Sequence, residues 1–199
     1  MSEHRKFWEA QLNAPGGCNR LAALAELVSF DQADQPPVRG NDVNNHIHTT
    51  YSFSPYSPTL SVYRAKQAGL QTCGIVDHDS VAGVNEFRLA GILLNMPTTA
   101  GVELRVSCLD TPLAAKRFNN PDQVSIAYMV LHGIPAQELG AVEQFLRPVR
   151  QARYQRNEIM VARIASRMKP FGISLTMADV LAVSNYHDGG SITERHLLY

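Results

Sequence analysis

The middle of the sequence alternates between short strand-like segments and longer segments with helical periodicity. Ser57 followed by Pro58 supplies a helix N-cap and a proline at the first helical position, and Gly69 supplies a helix end. This β-α-β-α order predicts an α/β fold in which parallel strands are joined by crossover helices. The predicted strands are 43–47, 72–76, 98–107 (as one strand or two) and 124–131, and the predicted helices between them are 57–68 and 81–94.

The first forty residues form a separate region of the sequence. Apolar residues at helical spacing predict two short helices, at 3–13 and 19–30. The following stretch, 31–42, contains two prolines and a glycine and is typical of a linker. The region with candidate chemistry begins only after it.

The C-terminal third of the sequence is helical. Thr176 with Asp179, and Ser191 with Glu194, stand at capping-box spacing, so each pair predicts the start of a helix. Because the sequence stops at Tyr199, one or two turns into the last of these helices, we expect the chain to be truncated. The predicted helical segments are 135–169, with a break near Pro148 as an option, 176–183 and a helix from 191 onward.

The composition is that of an ordinary soluble protein. Hydrophobic residues make up 45% and charged residues 18%, and the formal net charge is zero, which argues against binding of polyanions by the molecule as a whole. Cys18, Cys73 and Cys108 form no CxxC pair, so we expect neither a thiolate zinc site nor a disulfide framework. The N-terminus lacks a signal-like apolar region and no apolar stretch could span a bilayer, so we predict a cytoplasmic protein without a membrane partner.

Polar residues follow three of the predicted strands. His46 and His48 are two residues apart in an extended segment, so their side chains point to the same side. The strand at 72–76 leads into Asp77-His78-Asp79, and Glu103 follows an apolar approach with a glycine. Functional residues of parallel α/β folds lie at the carboxyl ends of strands. Imidazoles and a carboxylate gathered there predict a divalent-metal site.

The segments HIHTTYS, GIVDHDSVAG and GVEL, read in this order, resemble the first three motifs of the PHP (polymerase and histidinol phosphatase) superfamily. The resemblance implies a distorted (β/α)7 barrel, of which this chain would be a part. It also implies two or three divalent ions (Mn, Zn or Fe) and hydrolysis of phosphate esters by a metal-activated hydroxide. A small phosphorylated substrate would be the partner.

The resemblance also assigns roles to individual residues. His46 and His48 would bind one metal ion, Glu103 would bridge it to a second, and His78 would bind a third. For the next ligand, on the following strand, His132 and Tyr128 align about equally well. Arg195 and His196 are similar to an Arg-Pro-His segment of related enzymes, so they would bind the substrate phosphate or else form a surface pair. The predicted catalytic residues are Glu103 and Asp77. The predicted metal ligands are His46, His48, His78, Glu103 and His132.

The predicted organisation is a helical extension and linker at 1–40, the N-terminal part of a PHP barrel at 41–134 and a helical insert at 135–199. Phe53 and Ser54 stand where the family usually carries a further metal ligand, and its last motifs are absent. A non-catalytic PHP-like domain is therefore one alternative. A nucleic-acid-processing module is another, supported by the basic residues between Arg147 and Lys169. For those residues a solvated face is favoured, with contact of one or two arginines with substrate phosphate as an option.

Overall fold

The computed structural model describes residues 3–31, 40–120 and 123–198. It is a mixed α/β fold with one four-stranded sheet in the order β1-β2-β3-β4. Four short 3-10 segments supplement the regular helices. The elements are α1 Glu3–Gln11, α2 Gly17–Asp31, β1 Val43–Ile47, α3 Pro58–Gln67, β2 Thr72–Ile75, α4 Val84–Leu93, β3 Thr98–Ser107, β4 Ile126–His132, α5 Leu139–Met168 and α6 Met177–Ala182, with 3-10 segments at Ala136–Glu138, Lys169–Phe171, Tyr186–Asp188 and Glu194–Leu197.

The first three strands are parallel and α3 and α4 are their crossover helices, which confirms the predicted β-α-β-α order. The hydroxyl of Ser57 accepts a hydrogen bond from the backbone N–H of Leu60 at 3.0 Å, and Pro58 follows as the first helical residue. Gly69 lies just after the helix in the left-handed region, with φ +76°. These local signals place β1 and β2 side by side, with their carboxyl ends at the same edge.

The last strand runs the other way. β4 pairs antiparallel with β3, Glu103 opposite Val130 and Gly101 opposite His132, so the expected parallel arrangement holds for the first three strands and not for the fourth. A parallel return needs a crossover connection, usually a helix, and the described part of the segment between β3 and β4 contains none. Instead, the Asn119 side chain exchanges two hydrogen bonds with the backbone of Tyr128, at 2.8 and 2.9 Å, which holds the returning chain beside β4.

The buried apolar residues form two clusters. The larger joins α1–α4 to the sheet, with Leu24, Val62 and Phe87 fully buried. The smaller one includes Val161 of α5 and Val180 of α6. The predicted linker at 31–42 lies mostly outside the described residues, which resume at 40.

The C-terminal helices match the sequence in part. α5 continues through Pro148 without a break, and Thr176 and Asp179 form the predicted capping box of α6. The capping box predicted at Ser191 and Glu194 was wrong. The N-cap is Thr193, whose backbone N–H donates to Nδ1 of His196 at 3.0 Å, and it begins only a four-residue 3-10 segment.

Within the described ranges, no helix combines the length and apolar character needed to cross a bilayer.

Candidate metal centre

The carboxyl ends of β1 and β2 meet the middle of β3. Beyond β2 the backbone continues alongside β3: the N–H of Glu103 donates to the carbonyl of Asp77 at 3.1 Å, and the N–H of Asp79 donates to the carbonyl of Glu103 at 3.0 Å. His78 therefore lies directly beside Glu103 in a parallel bridge. The period-two alternation of β1 supplies His46 and His48 from the other side.

Three imidazoles converge on one carboxylate oxygen. Oε2 of Glu103 lies 3.4 Å from Nε2 of His46, 3.1 Å from Nε2 of His48 and 3.4 Å from Nδ1 of His78. The ligand atoms of His46, His48 and Glu103 all lie within 4.8 Å of one another, a spacing at which they could hold one metal ion. His78 stacks on His48, with ring centroids 4.5 Å apart. Such a mixed nitrogen and oxygen set suits Zn, Mn or Fe.

The protonation states favour metal binding at neutral pH. Burial, followed by the charge of His48, lowers the pKa of the His78 imidazole to about 4, and Arg153 and Arg195 act in the same direction. For Glu103, burial opposes ionisation, but the nearby imidazoles of His48, His78 and His46 outweigh it and lower its pKa. A neutral imidazole and an ionised carboxylate are the forms that bind a cation.

Asp77 lies behind the imidazoles rather than among them. Its buried carboxylate accepts hydrogen bonds from the backbone N–H of Thr49, the hydroxyl of Thr49 and the hydroxyl of Ser52, each at 2.6 Å. Burial raises the pKa of Asp77, and these three donors oppose that effect. Asp77 thus fixes the turn that follows His48, and in this structure it acts on the candidate centre through that turn.

Ser52 links this turn to His48. The Ser52 hydroxyl gives its only proton to Asp77, so at 3.2 Å it can only accept from Nδ1–H of His48. Nε2 of His48 then carries a lone pair and faces the Glu103 carboxylate at 3.1 Å. Two acceptors at this distance repel each other unless a proton or a cation lies between them, and a divalent ion fits that requirement.

The two candidates for the fourth ligand occupy different places. His132 ends β4 opposite Gly101, is exposed, and does not belong to the group that could hold an ion. Tyr128 lines the cavity in front of the candidate centre, with its ring 6.0 Å from that of His78.

That cavity has a volume of about 1300 Å³ and a strongly basic wall. Arg105 comes from β3, Arg153 and Arg156 from α5, and Arg195 from the last 3-10 segment. The predicted pair Arg195-His196 is split: Arg195 lines the cavity, whereas His196 is buried against Phe53, ring centroids 4.7 Å apart.

Part of the basic run on α5 is buried, so the favoured reading of a solvated face does not hold for this part. Nη1 of Arg150 donates to the backbone carbonyl of Asp79 at 3.1 Å. Arg153 forms an ion pair with the Asp79 carboxylate, Nη2 to Oδ2 at 2.5 Å, and only 10% of its side chain is exposed. These arginines attach α5 to the loop that carries His78.

Sequence reasoning missed Arg105, Ser52 and the particular arginines of α5 that face the site. Arg105 could have been found, because it stands two residues after Glu103 on the same strand and thus on the same face. Ser52 lies within the HIHTTYS motif, but nothing in its spacing indicates a contact with Asp77.

Two solved structures of hydrolases have a fold similar to that of this chain. A protein of Bifidobacterium adolescentis described as a metal-dependent phosphoesterase superposes with a TM-score of 0.60 and 25% identity, over 81% of this chain and 49% of that one. An amidohydrolase of Chromobacterium violaceum, solved with bound sulfate and no metal, gives a TM-score of 0.58 and 21% identity, over 79% of this chain and 49% of that one. No protein-family model matches the chain.

In sequence, 59 residues are 36% identical to a 5'-3' exoribonuclease of Haemophilus influenzae, which is 30% of this chain and 22% of that protein. The chain thus spans about half of each solved structure and less of the exoribonuclease. The fold is that of metal-dependent hydrolases, and it carries a His46, His48 and Glu103 group that could bind a divalent ion.

Proposed function

We propose that this chain carries the metal centre of a PHP-type phosphoesterase, which hydrolyses phosphate esters with divalent ions as cofactors. The observation that supports this proposal most strongly is the position of Oε2 of Glu103, 3.1–3.4 Å from ring nitrogens of three histidines from two strand ends. The neighbouring metal-dependent phosphoesterase fold supports the same reaction class. The (β/α)7 barrel is proposed for the whole protein.

In this proposal, His46, His48 and Glu103 would hold the first divalent ion, and His78 would be a ligand of a further ion. A divalent ion bound there supplies Lewis acidity and lowers the pKa of water. Asp77, through Ser52, keeps Nε2 of His48 unprotonated and aimed at the ion. We leave His132 out of the proposed ligand set because it does not line the cavity.

Phosphate esters are favoured over amides because of the cavity wall. A phosphate ester is an anion, and guanidinium groups recognise phosphate through paired hydrogen bonds. Arg105, Arg153, Arg156 and Arg195 line the same cavity as the metal group. An uncharged amide substrate would not require such a wall.

Trimming of RNA from its 5' end is a second candidate. The 36% identity to a 5'-3' exoribonuclease supports it, although the match covers 59 residues. Phosphodiester hydrolysis would use the same metal group, and the arginines would contact the backbone phosphates.

Metal content tests the centre itself. After incubation with Mn²⁺ or Zn²⁺ and removal of free ion, the 199-residue chain should retain at least one ion per chain, measured by mass spectrometry of the metal. His46→Ala and Glu103→Gln should lose it, whereas His187→Ala, which removes an exposed histidine elsewhere, should not. Equal metal content in all four proteins would reject the centre.

Activity then separates the candidates. The metal-loaded protein is offered para-nitrophenyl phosphate, para-nitroacetanilide and a 5'-phosphorylated oligoribonucleotide. Release of nitrophenol alone supports the phosphoesterase, and release of nucleotides from the 5' end supports the second candidate. Hydrolysis of the anilide alone would reject both. A metal-bound but inactive protein would support the alternative of a non-catalytic domain.

A further inference from the structure

Three guanidinium groups converge on the carboxylate of Glu194 at the rim of the cavity. Nη2 of Arg156 lies 2.5 Å from Oε1 of Glu194, and Nη1 of Arg105 lies 3.5 Å from the same oxygen. Nη1 of Arg153 lies 3.7 Å from the other oxygen, Oε2. One carboxylate is therefore the shared partner of cations from β3 and from α5.

The positive charge of this cluster exceeds the negative charge that contacts it. Arg105, Arg153 and Arg156 carry three positive charges, and the carboxylates of Asp79 and Glu194 carry two negative ones. In addition, Nε of Arg156 is buried and has no hydrogen-bond partner among the described residues. A buried donor without a partner is costly, so an anion with several oxygens would fit this cluster better than one carboxylate does.

The cluster is close to the candidate metal centre but separate from it. Arg105 follows Glu103 by two residues on β3, which places the two Cα atoms about 7 Å apart on one face of the strand. Both residues, together with Arg153 and Arg156, line the same cavity. A small molecule with two anionic groups could reach both places at once.

Glu194 is the member of the cluster that can leave most easily. Its side chain is 43% exposed, and it stands on the four-residue 3-10 segment Glu194–Leu197. In contrast, Arg153 is held by the buried carboxylate of Asp79, and Arg105 belongs to the paired strand β3 and lies over the ring of Tyr128. Arg105 and Arg153 can therefore stay in place while the glutamate turns outward.

We propose that Arg105, Arg153 and Arg156 form an anion subsite that binds a second anionic group of the substrate, apart from the phosphate at the metal ions. Glu194 occupies this subsite in the free protein and is displaced when the substrate binds. The anion subsite does not depend on the metal, but its assignment to the substrate rests on the proposed function.

A metal-free titration tests the subsite by itself. Inorganic phosphate is titrated into the chain at pH 8 with a chelator present, and heat is measured. Glu194→Gln should bind phosphate about tenfold more tightly than the unmodified chain, since the competing charge is gone. Glu143→Gln is the matched control, because Glu143 pairs with Arg150, and neither residue lines the cavity. It should bind phosphate as the unmodified chain does.

Arg156→Gln tests the other side of the contact. Its side chain is 41% exposed, so the variant should fold, and it should bind phosphate at least fivefold more weakly. Unchanged phosphate affinity in Glu194→Gln would overturn the proposal, as would unchanged affinity in a folded Arg156→Gln protein.

Hydrolysis tests the assignment to the substrate. Phenyl phosphate and para-carboxyphenyl phosphate differ by a single anionic group. The metal-loaded chain should show a KM about tenfold lower for the carboxylated ester, and Arg156→Gln should abolish most of that difference. Equal KM values for both esters would overturn the assignment. If neither ester is hydrolysed, the proposed function fails, while the metal-free titration still decides whether the anion subsite exists.

Discussion

The hydroxyl of Ser52 donates a hydrogen bond to the buried carboxylate of Asp77, with Oγ 2.6 Å from Oδ1. The same oxygen lies 3.2 Å from Nδ1 of His48. Because an ionised carboxylate only accepts hydrogen bonds, the direction of both bonds follows, and the proton of His48 is placed on Nδ1. This arrangement leaves Nε2 of His48 free for a metal ion and resembles the outer contacts that orient metal-bound histidines in general.

Ser52→Ala should therefore weaken metal binding without removing a ligand. Loss of the hydroxyl leaves Nδ1 of His48 without its acceptor, and we expect a loss of metal affinity of about 10- to 100-fold. Competition with a fluorescent chelator measures this affinity. Ser61→Ala is the control, because Ser61 also lines the cavity but its buried hydroxyl has no hydrogen-bond partner in the described part of the chain. Equal affinity in both variants would show that the orientation of His48 does not depend on Ser52.

His132→Ala should leave metal affinity within about twofold of that of the unmodified chain, because an exposed side chain outside the cavity makes no contact with the ion. The same chelator competition measures it, beside His48→Ala as the positive control. A tenfold loss in His132→Ala would instead support the ligand role that the family resemblance assigns to His132.

The local parts of the structure could be predicted from the sequence. Ser57, Pro58 and Gly69 bound α3 as their cap preferences indicate, and β1 was placed at its observed limits. The position of His46, His48 and His78 at one edge of the sheet was also predictable, since parallel strands joined by helices align their carboxyl ends. In each of these cases the feature is determined by residues close together in the sequence or by the parallel order of β1 and β2.

The remaining features depend on contacts between distant parts of the chain. β4 runs antiparallel to β3, and the Asn119 side chain pairs with the backbone of Tyr128, a contact that neither residue type indicates in the sequence. Arg153 has the sequence context of a solvated helix face, but in the fold it contacts two distant residues, Asp79 and Glu194. Thr193 replaces Ser191 as the N-cap although serine is the better capping residue of the two.

Glu86→Gln should destabilise the N-terminal half of the fold strongly. Glu86 of α4 pairs with Arg20 of α2 at 2.6 and 2.8 Å and accepts from the N–H and hydroxyl of Thr59 at 3.1 and 2.6 Å. Both charged residues are buried, and the hydrogen bond to Glu86 is the main reason that the pKa of Arg20 is raised. Removing one partner leaves a buried charge without its counter-ion, which costs about 3–5 kcal/mol.

Urea unfolding, followed by circular dichroism, measures this loss. Glu26→Gln on α2 is the matched control, because Glu26 is exposed and its substitution should change the free energy of unfolding by less than about 0.5 kcal/mol. Similar unfolding midpoints for the two variants would mean that the buried pair contributes no more than an exposed charge.

The same substitution, glycine to alanine, should have opposite effects at two positions. At Gly101 on β3 a new Cβ would lie 2.5 Å from the backbone carbonyl oxygen of Leu131 and 2.9 Å from Cγ1 of Val76, so the pairing of β3 with β4 must shift. We expect Gly101→Ala to lose about 1–3 kcal/mol. At Gly140 on α5 nothing lies within 4 Å of the new Cβ, and Gly140→Ala should gain about 0.4–1 kcal/mol by restricting the unfolded chain. Since Gly101 is two residues from Glu103, Gly101→Ala should also reduce metal affinity, whereas Gly140→Ala should leave it unchanged. Urea unfolding measures the stability of both variants, and chelator competition measures their metal affinity. A Gly101→Ala protein with undiminished stability would contradict the tight β3–β4 approach.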